Sequence, residues 1–182
     1  MIMATEARLA EDRVIIWELE KGREIFESDY YGKLKEDRLE LSLIEAAYLA
    51  STGVIKISDA DGKSLDAKAF IKYCCKIDQR FDFRYAVYKD LREKQLPTRT
   101  GFKFGCDFRV YAKGVKPLKR GPKSAKEHTK WIVYAVPEKF VCSFQELSRA
   151  VRLAHNIRAN MLWAVVDEEC RVGYYQVTFF KP

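Results

Sequence analysis

Five cysteines are too few and too oddly placed to build a framework. Cys74, Cys75, Cys106, Cys142 and Cys170 make an odd number with no CxxC spacing, which excludes a secreted disulfide scaffold and a cysteine-based zinc site. No Walker loop, GxGxxG fingerprint, internal repeat or low-complexity tract occurs. The glycines of GFKFG, residues 101–105, precede an extended pattern instead of opening a helix, so they are not a phosphate-binding turn. No apolar run reaches the length of a membrane span, and the beginning, MIMATEARLAEDR, lacks the apolar stretch of a signal peptide. A cytoplasmic protein with no membrane partner is expected. Histidine is scarce as well: only His128 and His155 occur in 182 residues.

What is abundant is apolar and basic. A hydrophobic fraction of 48% in a chain of this length is enough to bury a full core. The formal charge is +7, and six lysines, one arginine and one glutamate in residues 113–130 account for +6 of it. The positive field is therefore local, and it favours a polyanionic partner, nucleic acid above all. Just before this run stands Tyr111, and near its end His128. A phenol and an imidazole on either side of a cationic loop suggest proton transfer on a bound anion. Taken alone, Tyr111 reads more simply as a packed ring or a surface ring; a solvated surface run is the plain alternative for the loop, but seven cations in eighteen residues beside His128 favour RNA contact.

The element pattern changes along the chain. Residues 14–19 read as a strand and residues 24–30 as a second strand or turn-rich segment. Ser42 with Glu45 forms a capping box that opens a helix ended by Gly53. Residues 54–57 are extended and residues 68–77 helical. In the helix predicted over 81–94, Tyr85, Val87, Tyr88 and Leu91 face inward, and Lys89, Asp90, Arg92 and Glu93 face water. After Pro97 the pattern predicts a strand over 100–111, the basic loop, a strand over 131–136, a helix from the capping box Ser143/Glu146 to His155, and strands over 161–167 and 171–180. The fold class is α/β (α+β): a small N-terminal α/β packing module over residues 1–80, then a C-terminal mixed sheet flanked by helices over residues 81–182.

Four blocks in order carry a resemblance: YKDLR (88–92), TGFKFGCDFRVY (100–111), Glu127-His128, and RLAHNIRANMLWAVVD (152–167). Together with the LSLIEAAYL helix they closely resemble the archaeal tRNA-splicing endonuclease (tRNA-intron lyase) family. The resemblance implies a nuclease-type C-terminal sheet and a tetramer, homomeric or shared with a related structural subunit. It also implies precursor tRNA as partner, cut at bulge-helix-bulge motifs without metal or other cofactor. The family's catalytic tyrosine falls on Tyr111 and its histidine on His128. Its lysine, four residues beyond the histidine that here is His155, falls on Ala159, and no lysine occurs between Lys139 and Lys181. Arg152 and Tyr174 match positions that stack on an extruded nucleotide. Asp167, Glu168 and Glu169 match an acidic turn that enters a neighbouring subunit. Lys116, Lys119, Arg120 and Lys123 in the basic loop are the further candidate RNA contacts.

The implied chemistry sets the residue requirements. The RNA 2′-hydroxyl is the nucleophile, so cleavage needs a base for its proton, an acid for the departing 5′-oxygen, and a cation for the phosphoryl charge. Histidine suits the acid because it titrates near neutrality. A phenol, ordinarily titrating near ~10, needs nearby positive charge to act as base. The cation is what position 159 lacks. The vacancy fits an impaired catalytic chain, or else a subunit that holds RNA and never cuts. A metal-dependent DNA nuclease would need a close carboxylate pair with lysine, a set the sequence does not offer.

Overall fold

Alternating apolar residues start the first unit as a hairpin. Strands β1 (Thr5–Ala10) and β2 (Arg13–Ile16) pair antiparallel, with Leu9 opposite Val14. The computed structural model describes residues 4–101, 105–117 and 128–180. The chain divides into two units, and the division falls after Asp82.

The first unit continues through α1 (Leu19–Asp29), β3 (Lys33–Leu34), β4 (Leu39–Ser42), α2 (Leu43–Ser51), β5 (Ile55–Ser58), β6 (Ser64–Leu65) and α3 (Ala67–Ile77). Its strands form a mixed sheet in the order β3-β4-β2-β1-β5-β6, in which β1 and β5 run parallel. The segment expected to be a strand or turn at 24–30 lies inside α1. Gly22 explains the difference. It acts as a contact, not a break: a Cβ there would stand 3.0 Å from Leu39 Cβ, so its absence lets the helix lie close to β4.

The capping box at α2 is present and does more than cap. Glu45, buried, accepts from the Ser42 N–H at 2.9 Å and the Ser42 hydroxyl at 2.6 Å, and its other oxygen accepts from Gly32 N–H at 2.9 Å. The carboxylate thus ties the α1–β3 turn to the start of α2. Gly32 has φ +66, and an added Cβ would collide with the Glu40 carbonyl oxygen and lie 2.8 Å from Leu41 Cδ2. Gly32→Ala should therefore cost about 2–4 kcal/mol from left-handed backbone strain plus overpacking, seen as a lower urea midpoint at unchanged slope.

The second unit takes in α4 (Phe81–Glu93) from Phe83 onward, then β7 (Thr98–Thr100), β8 (Phe108–Val110), β9 (Trp131–Pro137), α5 (Phe144–Asn156), β10 (Asn160–Val166) and β11 (Val172–Val177). Five strands lie in the order β11-β10-β9-β8-β7. Only β9 and β10 are parallel, joined by the α5 crossover, while every other neighbour pair is antiparallel. The single strand expected over 100–111 is instead two, β7 and β8, paired with each other from Thr98↔Val110 to Thr100↔Phe108. An alternating aromatic pattern does not show where a strand ends.

Strand alternation gives the sheet two apolar faces. Ile132, Val136, Met161 and Trp163 pack against Ala150, Val151 and Ala154 of α5. On the opposite face Phe108 meets Tyr88 of α4, ring centroids 5.6 Å apart. Arg92, expected in solvent, is buried here: its Nε donates to Tyr88 hydroxyl at 3.0 Å and its Nη2 to the Thr98 carbonyl at 2.9 Å. A buried guanidinium needs partners, and the end of α4 meets two in the fold.

Candidate active site

The topology of the second sheet brings three chain segments to one end. Because β8 runs antiparallel to β9 and β9 parallel to β10, the end of β8 and the starts of β9 and β10 share an edge. Tyr111 just past β8, Lys130 just before β9 and Ala159 just before β10 form a row of backbone positions at this edge, in which the Lys130 N–H bonds to the carbonyl of Val110, already opposite Trp131, so Lys130 and Trp131 share Val110 in a bulge and Tyr111 is not paired with Lys130. Neighbouring strands lie ~4.8 Å apart, so the end of β8 and the start of β10 stand roughly 10 Å apart across β9.

Backbone hydrogen bonds hold this row. Tyr111 N–H donates to Pro97 carbonyl at 2.9 Å, extending the β7–β8 ladder. Lys130 N–H donates to Val110 carbonyl at 2.9 Å, and the Lys130 carbonyl accepts from Asn160 N–H at 2.9 Å and from its Nδ2 at 3.3 Å. Alternation sends Tyr111, with Arg109, and Ala159, with Met161, to the face that α5 covers, while the Lys130 ammonium lies 4.2 Å from the Trp131 ring centroid. Ala159 accordingly packs against the α5 cluster, and its N–H donates to Ala154 carbonyl at 2.9 Å.

Tyr111 is 4% exposed, whereas His128, two residues ahead of Lys130, is exposed. Arg158, next to position 159, takes a left-handed conformation with φ 56 and turns the chain from α5 into β10. Its side chain is exposed. Tyr111 and Ala159 thus lie at the same sheet end, and His128 is on the segment that enters β9 there. Lys130, just before β9, was not singled out by motif spacing.

Other candidates fall elsewhere. Tyr174 pairs with Ala164 and lies on the α4 face, where its hydroxyl donates to Asp90 Oδ2 at 2.7 Å. Burial first, and then that carboxylate, push its phenol far above the usual tyrosine range. Lys94 sits 5.9 Å from its ring centroid and pairs with Asp90. Arg152 is exposed on α5, which covers the other face, so one copy of the chain does not bring Arg152 and Tyr174 ring to guanidinium.

In the acidic turn, Asp167 accepts from the N–H groups of Glu169 at 3.0 Å and Arg171 at 2.8 Å and from Arg171 Nε at 2.7 Å. The Arg171 N–H first, then its guanidinium, holds the Asp167 carboxyl below the usual carboxylate range. Asp167 thus shapes the turn, while Glu168 and Glu169 are exposed and ion-paired to Lys139 and Arg171. Lys116 is exposed. Lys119, Arg120 and Lys123 lie outside the described residues. Among the described residues no helix is long and apolar enough to cross a membrane.

Behind the row lies a buried ion pair. Arg84 of α4, 7% exposed, holds Nε 3.0 Å from Asp107 Oδ1, and Asp107, 3% exposed, accepts from Ala135 N–H through Oδ2 at 2.9 Å. Asp107 therefore fixes β8 to β9 four residues before Tyr111. An aspartate inside the apolar run GCDFRVY was the available signal for it.

Two family models match the chain: tRNA intron endonuclease, catalytic C-terminal domain, over residues 81–174, and tRNA intron endonuclease, N-terminal domain, over residues 5–71. Relatives named tRNA-splicing endonuclease agree. The protein of Thermococcus kodakarensis is 38% identical over 173 residues, 95% of this chain and 96% of its own length. That of Methanosarcina barkeri is 39% identical over 178 residues, 97% of this chain and 49% of its own. That of Methanococcoides burtonii is 37% identical over 165 residues, 90% of this chain and 45% of its own. The chain thus spans about half the length of the last two and nearly all of the first.

Proposed function

Because the chain belongs to the tRNA intron endonuclease family, we propose that it binds intron-containing precursor tRNA at the sheet end carrying Tyr111, His128 and Ala159, and cuts it slowly. The site recognises the bulge-helix-bulge form. In the reaction Tyr111 takes the proton of the 2′-hydroxyl, whose oxygen attacks the adjacent phosphorus. His128 protonates the 5′-oxygen as its bond to phosphorus breaks, leaving a 2′,3′-cyclic phosphate and a 5′-hydroxyl. No metal or cofactor takes part.

What supports this reading is that the end of β8 at Tyr111 and the start of β10 at Ala159 lie at the same end of three adjacent strands, with His128 on the segment entering the middle one. Alanine at 159 leaves the phosphoryl charge without the cation that resemblance puts there, which is why the rate is low. Lys116, Lys119, Arg120, Lys123 and Arg152 contact phosphates or bases, and Tyr174 supports RNA from the other face. Glu168 and Glu169 reach a neighbouring subunit in a cytoplasmic tetramer, homomeric or shared with a related chain.

Metal-free chemistry with an RNA-borne nucleophile makes a sharp test. Cleavage of a bulge-helix-bulge RNA should proceed in EDTA at an unchanged rate and stop when the cut-site ribose is 2′-deoxy. Cutting of the deoxy substrate, or loss of cutting in EDTA, would overturn the mechanism. RNA binding with no cutting even after Ala159→Lys would assign the chain to the holding subunit of a heteromeric enzyme.

A further inference from the structure

Resting on the proposed RNA site, we propose that Arg92 is a positioning residue for the reaction: from the buried end of α4 it fixes the short strand to which Tyr111 is tied. The motif YKDLR supplies both parts of the device, Tyr88 and Arg92, and no step of the chemistry uses either. Helix α4 ends in a Schellman turn. Gln95, with φ 60, donates its N–H to the Arg92 carbonyl at 2.9 Å, and Leu96 N–H donates to the Leu91 carbonyl at 3.1 Å. This turn delivers Pro97 and Thr98 directly into β7.

The ladder assigns these two residues different tasks. Tyr111 N–H bonds to the Pro97 carbonyl at 2.9 Å and Gly101 N–H to the Asp107 carbonyl at 2.9 Å, which makes 97/111 and 101/107 hydrogen-bonded pairs. Proline has no N–H to return, so Tyr111 is tied to Pro97 through one bond where an ordinary rung would give two. By the same alternation Thr98↔Val110 is a pair without ladder bonds, and the Thr98 carbonyl points away from β8. Strand β7 ends the sheet, so among the described residues no further strand receives that carbonyl. Arg92 receives it instead. Its Nη2 donates to the Thr98 carbonyl at 2.9 Å while its Nε donates to the Tyr88 hydroxyl at 3.0 Å.

Burial and direction mark the guanidinium as an anchor. It is 4% exposed and stands 5.3 Å from the centroid of the Tyr88 ring, which in turn meets Phe108 of β8. One arginine thus joins the helix, the edge strand and, through Tyr88, the strand that leads to Tyr111. Alternation turns the Tyr111 ring to the face that α5 covers, whereas Arg92 comes from α4 on the other, so Arg92 acts through the backbone and does not touch the reacting atoms. A base must hold its oxygen within hydrogen-bond reach of the 2′-hydroxyl, and a misplacement of ~1 Å there costs on the order of 10²-fold in rate. No proton or bond changes hands at Arg92.

The test is a double-mutant cycle on single-turnover cleavage in EDTA, with the full chain carrying Ala159→Lys so that slow variants stay measurable: Arg92→Met, Tyr111→Phe and both together. Methionine keeps a stem and removes the donors. Arg92→Met should lower kcat about 20-fold and change affinity for the 2′-deoxy RNA less than about threefold. In the Tyr111→Phe background the same change should cost less than about threefold, because a ring without its hydroxyl gains nothing from placement. Tyr88→Phe, which removes one acceptor of Arg92 and keeps the ring on Phe108, should lower kcat about fivefold, falling below about twofold in the Tyr111→Phe background. It decides the matter if Arg92→Met does not fold.

Equal losses in both backgrounds, no loss in kcat, or a loss confined to RNA affinity would overturn the role, and each of those results leaves the nuclease reading standing. A Tyr111→Phe chain that cuts at full rate would remove Tyr111 as the base and this role with it. Failure of the Ala159→Lys chain to cut an all-ribose substrate would remove the nuclease reading as well. Gly32→Ala, destabilised in the first unit, should leave kcat within about twofold, which separates placement of Tyr111 from a general loss of stability.

Discussion

Replacing Ala159 with lysine should raise single-turnover cleavage of a bulge-helix-bulge RNA by about 10²-fold, towards the lower end of the 10²–10³ that one preorganised charge contributes. Alanine packs half-buried against the α5 cluster here, so the new stem would run over Ala154 and Met161 and carry its ammonium to the solvent edge. That side chain starts from a backbone held by the 2.9 Å bond to Ala154 carbonyl and the 2.9 Å bond from Asn160 N–H to Lys130. It is therefore positioned by the sheet and not by a loop, which is the condition for a charge to act on a transition state. The gain should appear in kcat and leave affinity for the 2′-deoxy RNA within about threefold. Unchanged kcat with unchanged unfolding midpoint would mean that position 159 does not face the reacting phosphate.

Asp107→Ala should cost about 3–5 kcal/mol of stability, the largest loss expected from one substitution in this chain. It removes the carboxylate 3.0 Å from Arg84 and, at the same time, the acceptor for Ala135 N–H. Against a total stability of ~5–15 kcal/mol, that loss consumes a third or more of the reserve. Asp107→Asn should cost less, because an amide oxygen still accepts from Ala135. Replacing the pair together, Arg84→Met with Asp107→Leu, should recover part of the difference, since it removes both of the charges that face each other at 3.0 Å. Urea unfolding of the four proteins gives these numbers directly. An Asp107→Ala protein as stable as the parent would show that the pair is not closed in solution.

The two substitutions probe different things, and the sequence prepares for them unequally. What is expected of position 159 comes from the resemblance, in which four ordered blocks align it with a lysine, and no lysine occurs between Lys139 and Lys181. Both capping boxes, Ser42 with Glu45 and Ser143 with Glu146, were legible for a simpler reason: a cap is a contact over three residues, so its chemistry is local. Helices α2, α3, α4 and α5 followed from their apolar spacing. Helix α1 did not, because Gly22 reads as a breaker unless Leu39, seventeen residues on, is known to press against it.

What the residues alone determined, then, was whatever depends on near neighbours: the α/β class, the helix starts, the basic run at 113–130 and the order of the candidate groups at 111, 128 and 159. Tertiary structure decided every matter of register. Tyr111 and Ala159 came to one sheet end only when β8, β9 and β10 were laid side by side, Arg92 left solvent only when Tyr88 and Thr98 closed on it, and Arg152 parted from Tyr174 only when the sheet acquired two faces. A strand's partners are distant in sequence, and a shift of one residue exchanges its faces, so alternation within one strand cannot say which side chains will meet.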